Sequence, residues 1–345
     1  SHAIQILMIY FLPHMGELNF KQKALYLGYI VKRLLKVAHN EEKPTNRDSY
    51  KYKRLEITGT LIYDLFREYY TLQQKNIFLQ MDTEYFYSVK KSASSYQNKD
   101  FLNLIIDNQS KIFNNLILEA GFRKAFKGDW GAEAHTKKPG VLQDLTRLSY
   151  FSSIAQLRKT NTPIGSDGAK VIPPRFINST QWGIICPIHS PDGGNIGLHK
   201  HMAIAAKITS SCSIYPMIDL LRNKFNMKLL EECTPEHIYT LTKVFVGGRW
   251  AGVIHDPVEI MRTLKLYKQS ALIPVYTSIS WNIQRNEIQI YTDSGRMIRP
   301  VFYIDDHREV SVNRENIKSL IDKNNYKWSE LVSGFLKKKA DDFKM

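Results

Sequence analysis

Between Trp182 and Leu198 the chain reads WGIICPIHSPDGGNIGL. An imidazole, His189, and a carboxylate, Asp192, share one turn there, a spacing at which the two could exchange a proton. Pro187 and Pro191 fix φ, while Gly193 and Gly194 tolerate φ > 0, so the segment is suited to holding one unusual backbone shape. Stiff loops of this kind often present groups to a ligand. Two readings stay open. The pair does acid–base work, or Asp192 caps the turn and His189 sits at a loop surface. Just beyond, His199 and His201 recur at i, i+2 on one strand face, as metal ligands or as solvated side chains. There is no HExxH, GxSxG or phosphate-loop pattern in the sequence. Gly193-Gly194-x-x-Gly197 is too short for a phosphate loop and lacks its basic residue. No catalytic residue and no metal site is therefore assigned to the chain itself.

The basic residues say more. Arg147, Arg158, Lys159, Lys170 and Arg175 fall within about thirty residues, interspersed with Asn161, Thr162, Gly165 and Gly168. Cations supply charge against phosphates, and glycines allow close backbone approach. A second cluster, Arg123, Lys124, Lys127, Lys137 and Lys138, surrounds Gly128-Asp129-Trp130-Gly131. Trp130 either stacks on a base or anchors local packing. The chain carries a formal net charge of +15 over 345 residues, a balance that suggests a polyanionic partner, nucleic acid first. Its 43% hydrophobic content is ample for sizeable cores. Three cysteines without CxxC spacing fit a reducing, intracellular compartment better than a disulfide framework. No apolar run reaches the length of a membrane span, and the start does not read as a signal peptide.

The elements that must position these residues read as an α+β fold in three zones. Residues 4–125 are helical by periodicity, with apolar positions from Ala24 to Val37, Leu55 to Tyr70 and Leu102 to Leu118, and with loop candidates at Glu41–Tyr52 and Ser88–Lys99. Residues 126–210 alternate loops with short elements. Val141–Leu157 is expected as one helix and Ala203–Ile208 as a buried strand. Residues 211–345 are mixed. Lys243–Ile254 reads as a hairpin turning at Gly247-Gly248. Asp256-Pro257 opens a helix from Val258 to Gln269. Glu287–Tyr291 alternates as a strand, and Asp293-Ser294-Gly295 turns the chain into Val301–Ile304.

Several of these stretches together resemble the second-largest subunit of multisubunit DNA-directed RNA polymerase, called β in bacteria. Trp182–Leu198 is similar to the family signature WGxxCPxETPEGxxxGL. Asn46-Arg47-Asp48 with Lys53-Arg54-Leu55 and Gly59 resembles DRDxxxxKRLxLxG. Phe11–His14 with Lys23–Leu35 looks like the end of the protrusion. Gly128–Gly131, Gly140–Gln143, Arg147–Tyr150 and Leu157–Lys159 with Asn161–Gly165 look like the fork. Phe245–Gly252, Asp256–Arg262 and Tyr291–Arg296 with Arg299-Pro300 look like the external regions. The resemblance implies distal protrusion over 4–125, fork over 126–210 and external regions over 211–345.

What the resemblance implies is positioning. Arg158, Lys159, Lys170 and Arg175, with Lys127, Lys137 and Lys138, would contact nucleic-acid phosphates of the template DNA and the RNA–DNA hybrid. Gln143, Arg147, His189 and Asp192 would lie near the active centre. Mg²⁺ would be bound by the largest subunit, not by this chain, and the partners would be that subunit, the other polymerase subunits and DNA. The family's subunit is far longer, so the chain is expected to be a piece of one, working in a nucleus or a viral factory in the cytoplasm. His189 and Asp192 replace the two signature glutamates, Phe176 follows Arg175 where the family has Gln, and Gly193-Gly194 replaces Gly-Gln or Gly-Pro. Such departures point to a viral or plasmid lineage. Two other classes compete: a stand-alone basic nucleic-acid-binding module, and a small metal-dependent hydrolase using His189, Asp192, His199 and His201.

Overall fold

Val244-Phe245-Val246 is a strand whose side chains alternate between two faces, and both faces are covered. A computed structural model describes residues 2–91, 101–164, 171–302, 304, 310 and 314–321. In chain order the helices are α1 (His2–Ile9), α2 (Phe20–Ala38), α3 (Thr58–Lys91), α4 (Phe101–Asp107), α5 (Gln109–Ile112), α6 (Ile117–Ala125) and α7 (Tyr150–Leu157). Strands β1 (Lys159–Asn161), β2 (His199–His201) and β3 (Lys207–Ile208) follow, then α8 (Tyr215–Phe225), β4 (Lys228–Leu229), α9 (Pro235–Thr240), β5 (Thr242–Val246) and β6 (Arg249–Ile254). The last elements are α10 (Pro257–Gln269), β7 (Ser278–Asn282), β8 (Glu287–Tyr291), β9 (Met297–Ile298) and α11 (Arg314–Ile321). The fold is α+β. It divides into two compact units, residues 56–159 and the remainder, so the larger unit is discontinuous in sequence.

The larger unit is built on a five-stranded sheet of order β4-β6-β5-β8-β7, antiparallel except for the β5–β8 pair. Val244, Val246, Ile288 and Ile290 pack on one face with Leu221 of α8 and Ile260 and Leu264 of α10. On the other face Phe245 and Trp250 meet Met15, Leu230 and the rings of Tyr26 and Tyr29 from α2. A bulge between Val244 and Phe245 lets Phe245 pair with Trp250 and Val244 with Gly252, leaving Ala251 as the extra residue. The expected hairpin is present. So is the helix after it, where the Asp256 carboxylate accepts the N–H groups of Val258 and Glu259 at 2.9 and 3.2 Å.

A knot of backbone bonds joins the first 55 residues to this unit. The Leu55 N–H donates to Gly295 O at 2.8 Å, and the Gly295 N–H to Thr209 O at 3.0 Å. Arg54 Nε pairs with Asp293 Oδ2 at 2.5 Å, and its guanidinium lies over the Tyr291 ring. Arg296, buried, donates to Ser278 Oγ at 2.5 Å and to Tyr276 O at 2.9 Å. The KRL and TDSGR stretches, far apart in sequence, thus form one contact.

The smaller unit packs α3 on α6. Leu65, Tyr69, Ala125 and Trp130 are its buried core. Glu68 gathers the following loop, accepting from the N–H groups of Ala132 and Glu133, each at 3.1 Å, and from Thr136 Oγ1 at 2.5 Å.

Four expectations are corrected. Val141–Leu157 is not one helix: only Tyr150–Leu157 is helical, started by a Ser149/Ser152 capping box. The residues before it are captured by Gln156, whose side chain accepts the Thr146 N–H at 2.7 Å and donates to Asp144 O at 2.9 Å. Ala203–Ile208 is not a buried strand. An Ala206 N–H to Ala203 O turn occupies it, Ile204 is 98% exposed, and only Lys207–Ile208 pairs, with β9. Leu102–Leu118 is broken into three helices, with the Asn108 side chain bonding Leu104 O at the first break. The strand after the Asp293–Gly295 turn lies at Met297–Ile298, and Val301 and Phe302 are outside any strand. Of the loop expected at Ser88–Lys99, residues 88–91 belong to α3 and the rest lie outside the described residues.

Gly295 has φ +78°, and an added Cβ would stand 2.3 Å from Leu55 O. Gly295→Ala should therefore destabilise the larger unit by about 2 kcal/mol or more. Urea unfolding followed by Trp250 fluorescence measures this, and an unchanged midpoint would show that the knot is dispensable.

Candidate nucleic-acid interface

The proline-bracketed turn is assembled from bonds between side chains and backbone. Ile185, buried, bridges to Met202, and the Cys186 N–H donates to His201 O while the Ala203 N–H donates to Ile184 O, both at 2.9 Å. This fastens the stem of the turn to β2. Ser190 Oγ accepts the Gly197 N–H at 2.9 Å and donates to His199 O at 3.3 Å, closing the turn across its base. Gly193–Asn195 forms a single 3-10 turn. Arg175 holds it from outside, with Nη1 donating to Gly194 O at 2.7 Å and to Ile196 O at 2.9 Å. Gly197 has φ +71°, and any Cβ there would stand 2.4 Å from Arg175 O. The guanidinium and the glycine are thus two halves of one close approach.

His189 and Asp192 fall on the outer side of this turn, both exposed. The His189 ring stacks on the His201 ring, with centroids 3.5 Å apart and planes within 2°. Its orientation is set by β2, not by Asp192. Asp192 stands at the N-terminus of the 3-10 turn, but its side chain accepts no capping bond. Neither open reading of the pair is met in full: Asp192 is no side-chain cap, and His189 leans on another imidazole. Among the described residues no three of His, Cys, Asp and Glu are grouped so as to hold a metal ion. The hydrolase reading has no ligand set there, and no step of chemistry is assigned to Mg²⁺ on this chain.

In the smaller unit, Lys137 pairs with Asp129 at 3.1 Å, Lys124 with the same carboxylate at 3.0 Å, and Lys138 with Glu56 at 2.8 Å. The hydrogen-bonded ammonium groups of Lys124 and Lys137 hold the Asp129 carboxyl below the usual range. Trp130 is buried, with its ring edge-on to Phe126, and so anchors packing. Lys127 and Arg147 are exposed, as is Gln143, whose amide bonds Gly140 O at 2.9 Å. Lys159 is exposed and Arg158 half-buried at the end of α7. Arg158, Lys159, Lys127, Lys137, Lys138, Gln143 and Arg147 thus belong to one unit, and Arg175, His189 and Asp192 to the other. Lys170 lies outside the described residues.

Lys200 was missed by sequence reasoning. It sits between His199 and His201 on β2, is only 8% exposed, and its ammonium donates to Tyr50 OH and to Pro174 O, each at 3.2 Å. The signal was available: in a three-residue strand that presents two histidines to one side, the middle residue must face the other.

Comparison with known proteins now bears on the site. The family models for RNA polymerase Rpb2 match in order: domain 2 over residues 3–56, domain 3 over 143–208 and domain 4 over 244–305. The chain belongs to the RNA polymerase Rpb2 family. The DNA-directed RNA polymerase II subunit RPB2 of Encephalitozoon cuniculi is 35% identical across 94% of this chain and 27% of its own length. That of Schizosaccharomyces pombe is 32% identical across 97% of this chain and 28% of its own length. The DNA-directed RNA polymerase subunit 2 of Acanthamoeba polyphaga mimivirus is 28% identical across 96% of this chain and 27% of its own length. The chain therefore spans about a quarter of the length of the curated relatives it matches. The Rpb2 domain 3 match contains both the Arg158-Lys159 pair and the whole turn braced by Arg175. No helix among the described residues is long and apolar enough to cross a membrane.

Replacing Arg175 by Ala removes two charge-assisted bonds from the turn, each of a kind worth about 1.5–3 kcal/mol. Amide hydrogen exchange across residues 190–198 should accelerate at least tenfold, while the β5, β6 and β8 amides keep their protection. Unaltered exchange in the turn would mean that Gly197 packing alone sets its shape.

Proposed function

We propose that this chain is the part of an RNA polymerase second subunit that shapes the active-centre cleft and contacts template DNA and the RNA–DNA hybrid during NTP polymerisation. The carrying observation is the match to Rpb2 domains 2, 3 and 4 in order. The residues themselves support a positioning role. The proline-bracketed turn is held by its own backbone, Ser190 and Arg175, and presents no nucleophile paired with a base. Arg158, Lys159 and Lys127 supply charge toward phosphates, with little sequence readout. Lys137 and Lys138 already have carboxylate partners, so they would reach a phosphate only by exchanging one anion for another. Arg175 acts first through the turn, and Lys170 adds to the charge toward phosphates in this reading. Gln143, Arg147, His189 and Asp192 lie toward the active centre in this reading. Phosphoryl transfer, with its Mg²⁺, is supplied by the largest subunit in trans. The other polymerase subunits complete the assembly, in a nucleus or in a cytoplasmic viral factory.

In a polymerase assembled with this chain's sequence, Arg158→Ala with Lys159→Ala should shorten the lifetime of the transcription complex. The slope of log lifetime against log salt should flatten by about one unit for each phosphate no longer neutralised. An identical slope in the double variant would remove these two residues from the interface.

The 345-residue chain alone should bind duplex DNA weakly and without sequence preference, because its formal charge of +15 attracts any polyanion. Incubated with template, NTPs and Mg²⁺, it should make no RNA. Template-directed synthesis by the chain alone would overturn the positioning role, whereas sequence-selective binding would favour the stand-alone module.

A further inference from the structure

We propose that Lys200 is a positioning residue that couples the Asn46–Arg54 segment to the proline-bracketed turn, so that the two signature stretches move as one body. Both ends of the coupling are bonds of the same ammonium. One goes to Tyr50 OH and one to Pro174 O, each at 3.2 Å. Tyr50 is the centre of the first segment, and its own N–H donates to Thr180 Oγ1 at 2.9 Å. That segment is folded on itself by an Asn46 side chain that accepts the Asp48 N–H. Pro174 is the residue before Arg175, and Arg175 holds Gly194 and Ile196 through its guanidinium and packs its carbonyl under Gly197. A displacement of Tyr50 is thus passed through one ammonium to Pro174, then through Arg175 to the turn.

The choice of an ammonium is informative. Lys200 is almost fully buried, where a methionine of similar length would pack without desolvation cost. The charged groups facing it are Lys53, whose ammonium lies 5.0 Å from the Tyr50 ring that Lys200 itself approaches at 5.7 Å, and Asp48. Burial, with Lys53 beside it, pushes the Lys200 pKa below the usual lysine value, and Asp48 only partly opposes this. The ammonium is therefore held at a cost, and what it supplies that an apolar side chain does not is two simultaneous donors to two loops. An Arg could keep both bonds. A Met keeps neither.

Hydrogen exchange on the chain tests the coupling. Tyr50→Phe removes only the hydroxyl that receives the ammonium and leaves the ring in place. It should raise exchange in residues 187–197 by severalfold, a response that a purely local role for Tyr50 would not produce. Lys200→Met should raise exchange in residues 46–54 and 187–197 together, by about tenfold, with β5, β6 and β8 unchanged, and Lys200→Arg should restore much of the protection in both. A Tyr50→Phe chain whose 187–197 amides exchange as in the unaltered chain overturns the proposal, even if Lys200→Met fails to fold. So does a Lys200→Met chain that loosens one segment and not the other. The coupling does not rest on the polymerase reading. In the assembled enzyme, an unchanged apparent KM for NTP in a Tyr50→Phe variant that shows the exchange response would count against the turn's place near the active centre, and not against the coupling.

Discussion

The larger unit has to close on itself across a gap in its own sequence. Its first 55 residues and the residues from Thr160 onward are separated by the whole of the smaller unit. The entropy of closing such an excursion grows only slowly, by about 0.6 kcal/mol for each doubling of its length. The length of the insertion therefore matters less than the fidelity of the docking. That fidelity comes from a short stretch, Lys53 to Leu55, which meets Asp293 to Gly295 through one backbone bond and one ion pair, while the buried Arg296 next in sequence anchors the turn to Ser278 and Tyr276. Gly295 has to be a glycine because the two backbones touch there. Helix α2 adds a second fastening, with Tyr29 OH donating to the buried Glu287 at 2.5 Å and its ring packed at a tilt against Phe245 and Trp250.

Net charge overstates how much of this chain faces a polyanion. Of the basic residues that spacing singled out, Lys124, Lys137 and Lys138 are ion-paired within their own unit, and Arg175 spends its guanidinium on carbonyl oxygens. Arg54, Arg296 and Lys200 carry charge inside the larger unit for the same kind of reason. A guanidinium or an ammonium offers several donors and no acceptor, which suits it to gathering the carbonyls of turns that have no sheet or helix to satisfy them. Some of the positive charge braces backbone, and the exposed remainder, Lys159, Lys127 and Arg147 among it, is the charge that the proposed contacts with phosphate draw on.

The local elements were legible because their signals are local. Asp256-Pro257 marks a helix start whatever lies around it, and Gly247-Gly248 flanked by apolar residues marks a hairpin, and both are found where the sequence places them. Val141–Leu157 misled because apolar residues at helical spacing do not reveal that Gln156 will reach back and bond the backbone at Asp144 and Thr146. Ala203–Ile208 misled because a short, mostly apolar stretch looks the same as a strand or as an exposed turn, and the turn won. At the site, the special shape of the Trp182–Leu198 stretch was readable from its prolines and glycines. The stacking of His189 on His201 was not, and alternation that turns Lys200 away from the two histidines does not name Tyr50 and Pro174 as its partners, which come from segments distant in sequence.

Strand β2 is where those threads meet. One face presents His201 to the stacked ring of His189 at the tip of the turn, and the other sends Lys200 into the interior toward Tyr50 and Pro174. Its backbone meanwhile takes the Cys186 N–H from the stem of the turn and, through Lys200 O, the Thr160 hydroxyl at 3.1 Å. A strand this short gains little from its own ladder. Its stability comes from the side chains and loops on both sides, which makes its position a readout of all of them. A surface that has to present groups at a fixed place is well served by such a part: small enough to be set by its neighbours, and bonded to several of them at once.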